Sequence, residues 1–262
     1  IAKDPEVIAI SPTVGVSAFH LAGPNIFNSR GTSEATTRAL AKLARERGLN
    51  TVAVFSSQQP WEIDQGNYFA DEFAKRGGTV KTKLEPPPSM TDTKTLVLKI
   101  AALRPELVFF SNLVQMPLAA KEMKQIGFAP TRYAAHVDRN RLDEALGALD
   151  GALFPAYPEA DQIFTKAFQG RYKSAPEMPA ATAYDAVQTI VRAIELAKST
   201  TPTLVATQIL NVQFDGASGH MRYDSEGGAV KDVVFWKVED NRLSPLNKPE
   251  APTTSLIGLD QK

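Results

Sequence analysis

TVAVFSSQQPWEIDQGNYFADEFAKRGGTV, residues 51–80, reads as a strand, a polar turn, a helix and the start of a second strand. TVAVF (51–55) is a continuous β-branched and aromatic run, short and bounded by Ser56-Ser57, which is the pattern of a strand buried on both faces. From about 63 to 76 the apolar residues Tyr68, Phe69 and Phe73 recur at helical spacing, and Gly77-Gly78 marks the stop. The same unit repeats outward. Further strand runs stand at TVKTKL (79–84), LVFFS (107–111) and RYAA (132–135), a spacing of roughly one βα unit per 25 to 28 residues.

Helices fill the intervals. One starts at a Thr32 or Ser33 cap, keeps Ala35, Ala39, Leu40, Leu43 and Ala44 on one side, and stops at Gly48. Another, capped by Thr91 or Asp92, packs through Leu96, Val97, Ile100 and Leu103 and stops before Pro105. A further one runs from about Met116 to Ile126 and ends at Gly127. Near-continuous apolar strands alternating with helices predict an α/β fold with a doubly wound parallel sheet.

The pattern changes after about residue 155. PEADQIFTKAFQGRYK (158–173), MPAATAYDAVQTIVRAIELAKS (178–199) and a segment near 202–211 read as helices without a buried strand between them. VIAIS (7–11) supplies one strand for them to pack on. MRYD (221–224) and VVFWKVED (233–240) flank SEGG (225–228), which predicts a hairpin or two successive strands. Residues 244–262 hold three of the eighteen prolines and little periodicity, the pattern of an extended strap.

Composition narrows the function. The 262 residues carry 29 Lys plus Arg against 29 Asp plus Glu, so no charge excess points to nucleic acid or to an anionic membrane surface. There is no cysteine, which excludes disulfides, thiolate nucleophiles and Cys-ligated metal. No apolar run approaches the roughly 18 residues of a membrane span. The phosphate-binding P-loop, the GxGxxG cradle and the GxSxG elbow are all missing, and no cofactor is indicated. His20, His136 and His220 lie too far apart for a local metal motif, and the pairs Asp71-Glu72 and Asp143-Glu144 fall on helices beside basic residues, as solvated faces do. Nothing in the residues supports catalysis.

VIAISPTVG (7–15), the long stretch from Asn25 to Val80, and TDTKTLVLKIAALRPELVFFSN (91–112) resemble the type I periplasmic solute-binding proteins of branched-chain amino-acid ABC importers. ALGALDGALFPAYP (145–158), TAYDAVQTIVRAIELA (182–197) and FDGASGHMRYDSEGG (214–228) resemble the same family in the same order. The resemblance implies two Rossmann-like lobes that close on a small organic solute, an amino acid or related carboxylate, and a membrane permease as partner. It places the protein in the periplasm or otherwise outside the cytoplasm. The first lobe would take residues 1–23 and 157–230, the second 24–156 and 231–243, with 244–262 as a tail. Most strands of the first lobe are expected to precede Ile1, leaving that lobe incomplete and the helices near 160–210 prone to self-association. A ligand-sensing module of the same fold, reporting to a partner protein in place of a permease, is the alternative.

The resemblance also implies candidate ligand contacts. In the loop after ISP, where the family places a hydroxyl for the ligand carboxylate, Gly15 stands at the expected position, and Thr13 or Ser17 would substitute. Trp61 takes the place of the family's aromatic, either stacking on the ligand or stapling the helix that follows Pro60. Asn112 follows the LVFFS strand at its carboxyl end. Asp138 would pair with an α-amino group if it faces the cleft; if it does not, a carboxylate or aromatic acid fits better. Tyr184 lies on a helix aimed at the cleft, as a ligand contact or as core packing.

Overall fold

The computed structural model describes residue 4 and residues 6–246. Its main feature is a seven-stranded sheet. Strands β3 (Thr51–Phe55), β4 (Thr79–Leu84), β5 (Leu107–Phe110), β6 (Thr131–Ala134) and β7 (Leu153–Ala156) form its parallel part in the order β4-β3-β5-β6-β7. Strands β10 (Val234–Glu239) and β11 (Arg242–Pro245) extend it antiparallel beyond β7. The four runs TVAVF, TVKTKL, LVFFS and RYAA all lie in the parallel part, within one residue of their expected ends.

Alternation of side chains along β5 shows why those runs are wholly apolar. Leu107 and Phe109 face one side and pack with Val52, Val54, Leu40, Phe69 and Phe73, which brings in α1 (Ser33–Glu46) and α2 (Pro60–Lys75). Val108 and Phe110 face the other side and pack with Val97, Ile100, Met116 and Met123, from α3 (Lys94–Leu103) and α4 (Met116–Gln125), with Leu142 of α5 (Arg139–Ala145) alongside. A parallel sheet must be covered on both faces, so every residue of β5 is buried. Phe69 and Phe109 stack with centroids 4.0 Å apart.

Helix ends refine the sequence reading. Thr32, not Ser33, caps α1, accepting the Ala35 N–H at 3.2 Å. Helix α2 begins at Pro60, three residues earlier than expected, because proline fits the first helical position where no N–H is needed. The cap of α3 is Thr93 and not Thr91 or Asp92; the Asp92 carboxylate takes the Lys94 N–H just outside the helix.

A smaller structure packs beside the large sheet. Strands β1 (Ala9–Ser11) and β2 (Ile26–Asn28) pair in parallel, with Ile10 opposite Phe27. Helices α7 (Met178–Ala197) and α8 (Pro202–Ile209) cover this pair through Ala193, Ile194, Val205 and Ile209. The pairing of β2 with β1 carries the small sheet to Asn28. Helix α6 (Gln162–Tyr172), capped by Asp161, buries none of its residues.

At the C-terminal end one open alternative is decided and one expectation is corrected. MRYD and VVFWKVED meet the alternative of two successive strands and not that of one hairpin: Met221 ends β9 (Gly219–Met221), which pairs with β8 (Phe214–Gly216), Tyr223 makes an isolated antiparallel bridge to Ala229 across SEGG, and β10 pairs with β7 and β11. The hairpin turn is Asp240-Asn241, both at positive φ, 50° and 57°, as the tight turn matched to strand twist requires. Ser244 and Pro245, expected to open a strap, belong to β11; the rest of that expected strap, 247–262, lies outside the described residues.

Candidate ligand-binding cleft

Strand order β4-β3-β5-β6-β7 reverses direction between β3 and β5, so the connections to their helices depart on opposite faces and leave a crevice at the strands' carboxyl ends. A cleft of about 760 Å³ opens there. Trp61, Leu113, Ala135, His136, Pro155 and Tyr157 line it from the large sheet's connections, and Gly15, Ala181, Thr182 and Ser218 from the other side. Arg30, Ser33, Thr36 and Lys231 complete its polar lining. Another cavity, about 400 Å³ at the β10–β11 edge, is lined by Lys237 and Glu239, which pair with each other at 2.8 Å.

Buried polar groups set the crevice's loops. Asn112, fully buried, donates to the Ser56 carbonyl at 3.0 Å and accepts the Gln115 N–H at 2.8 Å. Gln115 in turn donates to the carbonyls of Pro87 and Met90, 3.0 and 2.7 Å. Leu113 is held from both ends, its N–H by the Glu62 carboxylate at 2.9 Å and its carbonyl by Arg141 Nε at 3.0 Å. These bonds leave Leu113 as the apolar projection of the β5 loop into the cleft.

Of the six residues expected as ligand contacts, the structure brings only Trp61 to the cleft. In the first turn of α2, Trp61 packs partly on the α1–α2 core and partly lines the cavity. Asn112 points inward and ties its own loop. Asp138 caps α5 through the Arg141 N–H at 3.0 Å, and its other oxygen pairs with the Arg141 guanidinium. Thr13 is exposed and contributes its backbone carbonyl to Arg30, while Ser17 sits outside the lining. Tyr184 is 51% exposed and packs on Phe164 of α6, away from the cavity.

Residues not foreseen also line the cleft. Arg30 follows β2; its N–H donates to the Asn28 side chain at 3.1 Å and its Nη1 to the Thr13 carbonyl at 2.9 Å. A Cβ on Gly15 would come 2.7 Å from Ser33 Oγ and 3.1 Å from Arg30 Nη1, so glycine at this position makes room for the guanidinium. Tyr157, just past β7, donates its hydroxyl to the Thr32 carbonyl at 2.7 Å, with its ring over Gly31. Burial pushes the Tyr157 phenol far above its ordinary range, although Arg30 pulls the other way. Burial likewise lowers His136, partly offset by Asp138, with Arg141 and Arg30 adding to the fall. Lys231 donates to the carbonyl and hydroxyl of Ser218, 3.0 and 2.7 Å, and burial draws it down to about 8 against the pull of Asp185. A polar loop such as NSRGTSE carries no periodic signal that singles out Arg30.

A family model described as periplasmic binding protein matches residues 1–242. The chain belongs to the periplasmic binding protein family. Members of this family are solute-binding proteins, not enzymes. None of the curated proteins compared matches the chain. Among solved structures, this periplasmic binding protein is similar to a leucine-binding protein from Thermotoga maritima, with a TM-score of 0.78, 22% identity, and coverage of 92% of this chain and 72% of that one. A Rhodospirillum rubrum protein described as a branched-chain amino acid ABC transporter gives a TM-score of 0.83 at 19% identity, over 92% and 73% of the two chains. A solute-binding protein of an ABC transporter from R. palustris, in complex with benzoate, gives 0.72 at 16% identity, over 90% and 69%. The type I periplasmic binding fold expected from the sequence is therefore the fold of this protein.

Proposed function

We propose that the chain is the ligand-recognising part of an extracytoplasmic solute receptor of an ABC importer, and that a small organic solute, an amino acid or related carboxylate, binds in the cleft. Residues 1–23 and 157–230 would act as one lobe and 24–156 with 231–243 as the other, with closure favoured by whatever the ligand gains on contact with both. The observation that carries this reading is the position of the cavity. It lies at the carboxyl ends of β3 and β5, where the strand order reverses, and Trp61 and Tyr157 offer apolar surface beside the polar groups Arg30, Ser33 and Thr36. Solute receptors among the similar structures, for leucine and for benzoate by their descriptions, support the ligand size. A membrane permease is the partner such a receptor serves. Among the described residues no helix is long and apolar enough to cross a membrane.

A thermal-shift screen of the protein against amino acids, aromatic acids and short amides tests the reading. At least one solute is expected to raise the melting temperature, and Trp61→Ala is expected to remove that rise. A folded protein that shifts with none of these solutes would sink it.

A further inference from the structure

We propose that the cleft is built for an organic carboxylate without an α-ammonium group, with the guanidinium of Arg30 as counter-ion and the rings of Trp61 and Tyr157 as walls for the ligand's apolar body. The proposal rests on the cleft being the ligand site and names the chemistry of its occupant.

The charge inventory of the cavity points this way. Arg30 is half-buried in the lining, and among the described residues no carboxylate lies within ion-pair distance of it. Among the described residues its one side-chain hydrogen bond, to the Thr13 carbonyl, engages a single N–H of the five that a guanidinium presents in a planar fork. A half-buried cation without an anionic partner is poorly compensated, and a ligand carboxylate is the group whose two oxygens match that fork. The neighbouring polar groups do not supply the missing charge. Tyr157 remains a neutral donor to Thr32, and the Lys231 ammonium is already engaged by Ser218.

An α-ammonium, by contrast, finds no buried carboxylate in the lining among the described residues. Only two carboxylates line the cleft among the described residues, Glu159 and Glu177, and both are exposed. Asp138, the residue at the expected place for an ammonium partner, caps α5 and pairs with Arg141, whose Nε also holds the Leu113 carbonyl. Turning Asp138 toward the cavity would break that set. Gly15 adds a second observation, since a side chain there would meet both Ser33 and Arg30. The space that a hydroxyl-bearing residue would take is given to the guanidinium.

Titration calorimetry on the 262-residue chain with matched probes decides the question: 4-methylpentanoate against leucine, 3-phenylpropanoate against phenylalanine, and 3-phenylpropanamide as the uncharged counterpart. At least one acid is expected to bind saturably and at least tenfold more tightly than its amino acid, and the amide at least tenfold more weakly than its acid. Arg30→Gln is expected to weaken the acid at least tenfold at unchanged melting temperature. Arg30→Lys should weaken it less, because charge remains but the bidentate fork is lost. An amino acid that binds as tightly as its des-amino acid, or an amide equal to its acid, overturns this inference while the receptor reading stands. Both comparisons use the unaltered protein and so do not depend on the variants folding. Absence of binding by acids, amino acids and every solute of the wider thermal-shift panel overturns both.

Discussion

Tyr157 donates its hydroxyl to the Thr32 carbonyl at 2.7 Å across 125 residues of sequence, tying the end of β7 to the cap of α1 at the floor of the cleft. The same Thr32 uses its side chain to hold the Ala35 N–H, so one residue starts the helix and anchors the ring. Burial raises the phenol further above its ordinary range, so the hydroxyl keeps the proton that it donates in this bond.

Removing only the hydroxyl, with Tyr157→Phe, leaves the ring in place and the carbonyl without its donor. Urea unfolding is expected to show a loss of about 0.5–1.5 kcal/mol, the usual net worth of such a bond. Affinity for an apolar ligand should stay within a few-fold.

Gly31 is needed for the ring to lie where it does. A Cβ there would fall 2.2 Å from Tyr157 Cζ and 2.3 Å from its hydroxyl. Gly31→Ala must therefore push the ring aside, with a stability loss of about 1–3 kcal/mol from overpacking and a weaker ligand isotherm. Calorimetry and thermal melting of the variant check both effects.

Asp185 is fully buried on α7 and accepts from the N–H groups of Ala217 and Ser218, 2.8 and 2.7 Å, and from the Ser218 hydroxyl. Asp185→Ala strands these buried donors and is expected to cost on the order of 3 kcal/mol or more, since each unsatisfied group carries about 1–3 kcal/mol. Equilibrium unfolding at pH 7 measures it.

Lys231 supplies a pH signature. Its folded pKa, drawn down to about 8, lies below the ordinary 10.5, so between those values the unfolded chain binds more protons and stability rises with pH. Below about 8 both states are protonated and the unfavourable contribution is constant. The raised phenols of Tyr157 and Tyr223 act oppositely above about 10, where the unfolded chain ionises first. From about pH 7.5 to 9.5, wild type should therefore gain stability relative to Lys231→Met. A constant difference across that range would contradict the assignment.

Legibility in the sequence followed the strength of the packing demand. The runs around β3 and β5 were readable because a strand covered on both faces must be apolar throughout, as Leu107 to Phe110 are. Strands β2, β8 and β9 span three residues each, too few for alternation to show. SEGG turns the chain only as far as the isolated Tyr223–Ala229 bridge, whereas β10 finds its hairpin partner, β11, across Asp240-Asn241. At the cleft, the sequence does not show the directions of the loop side chains: Asn112 and Asp138 satisfy backbone groups nearby. Arg30 was illegible because its significance depends on Gly15 and Tyr157, which adjoin it only in the fold.

Trp61 gives the most direct test that the cleft receives a solute. The chain's other tryptophan, Trp236, packs at the opposite core face, so Trp236→Phe leaves Trp61 as the single reporter. Titrating that protein with small organic acids is expected to change Trp61 fluorescence saturably with a stoichiometry of one. A solute that binds by calorimetry without changing Trp61 emission, and with unchanged affinity in Trp61→Ala, would contradict the account.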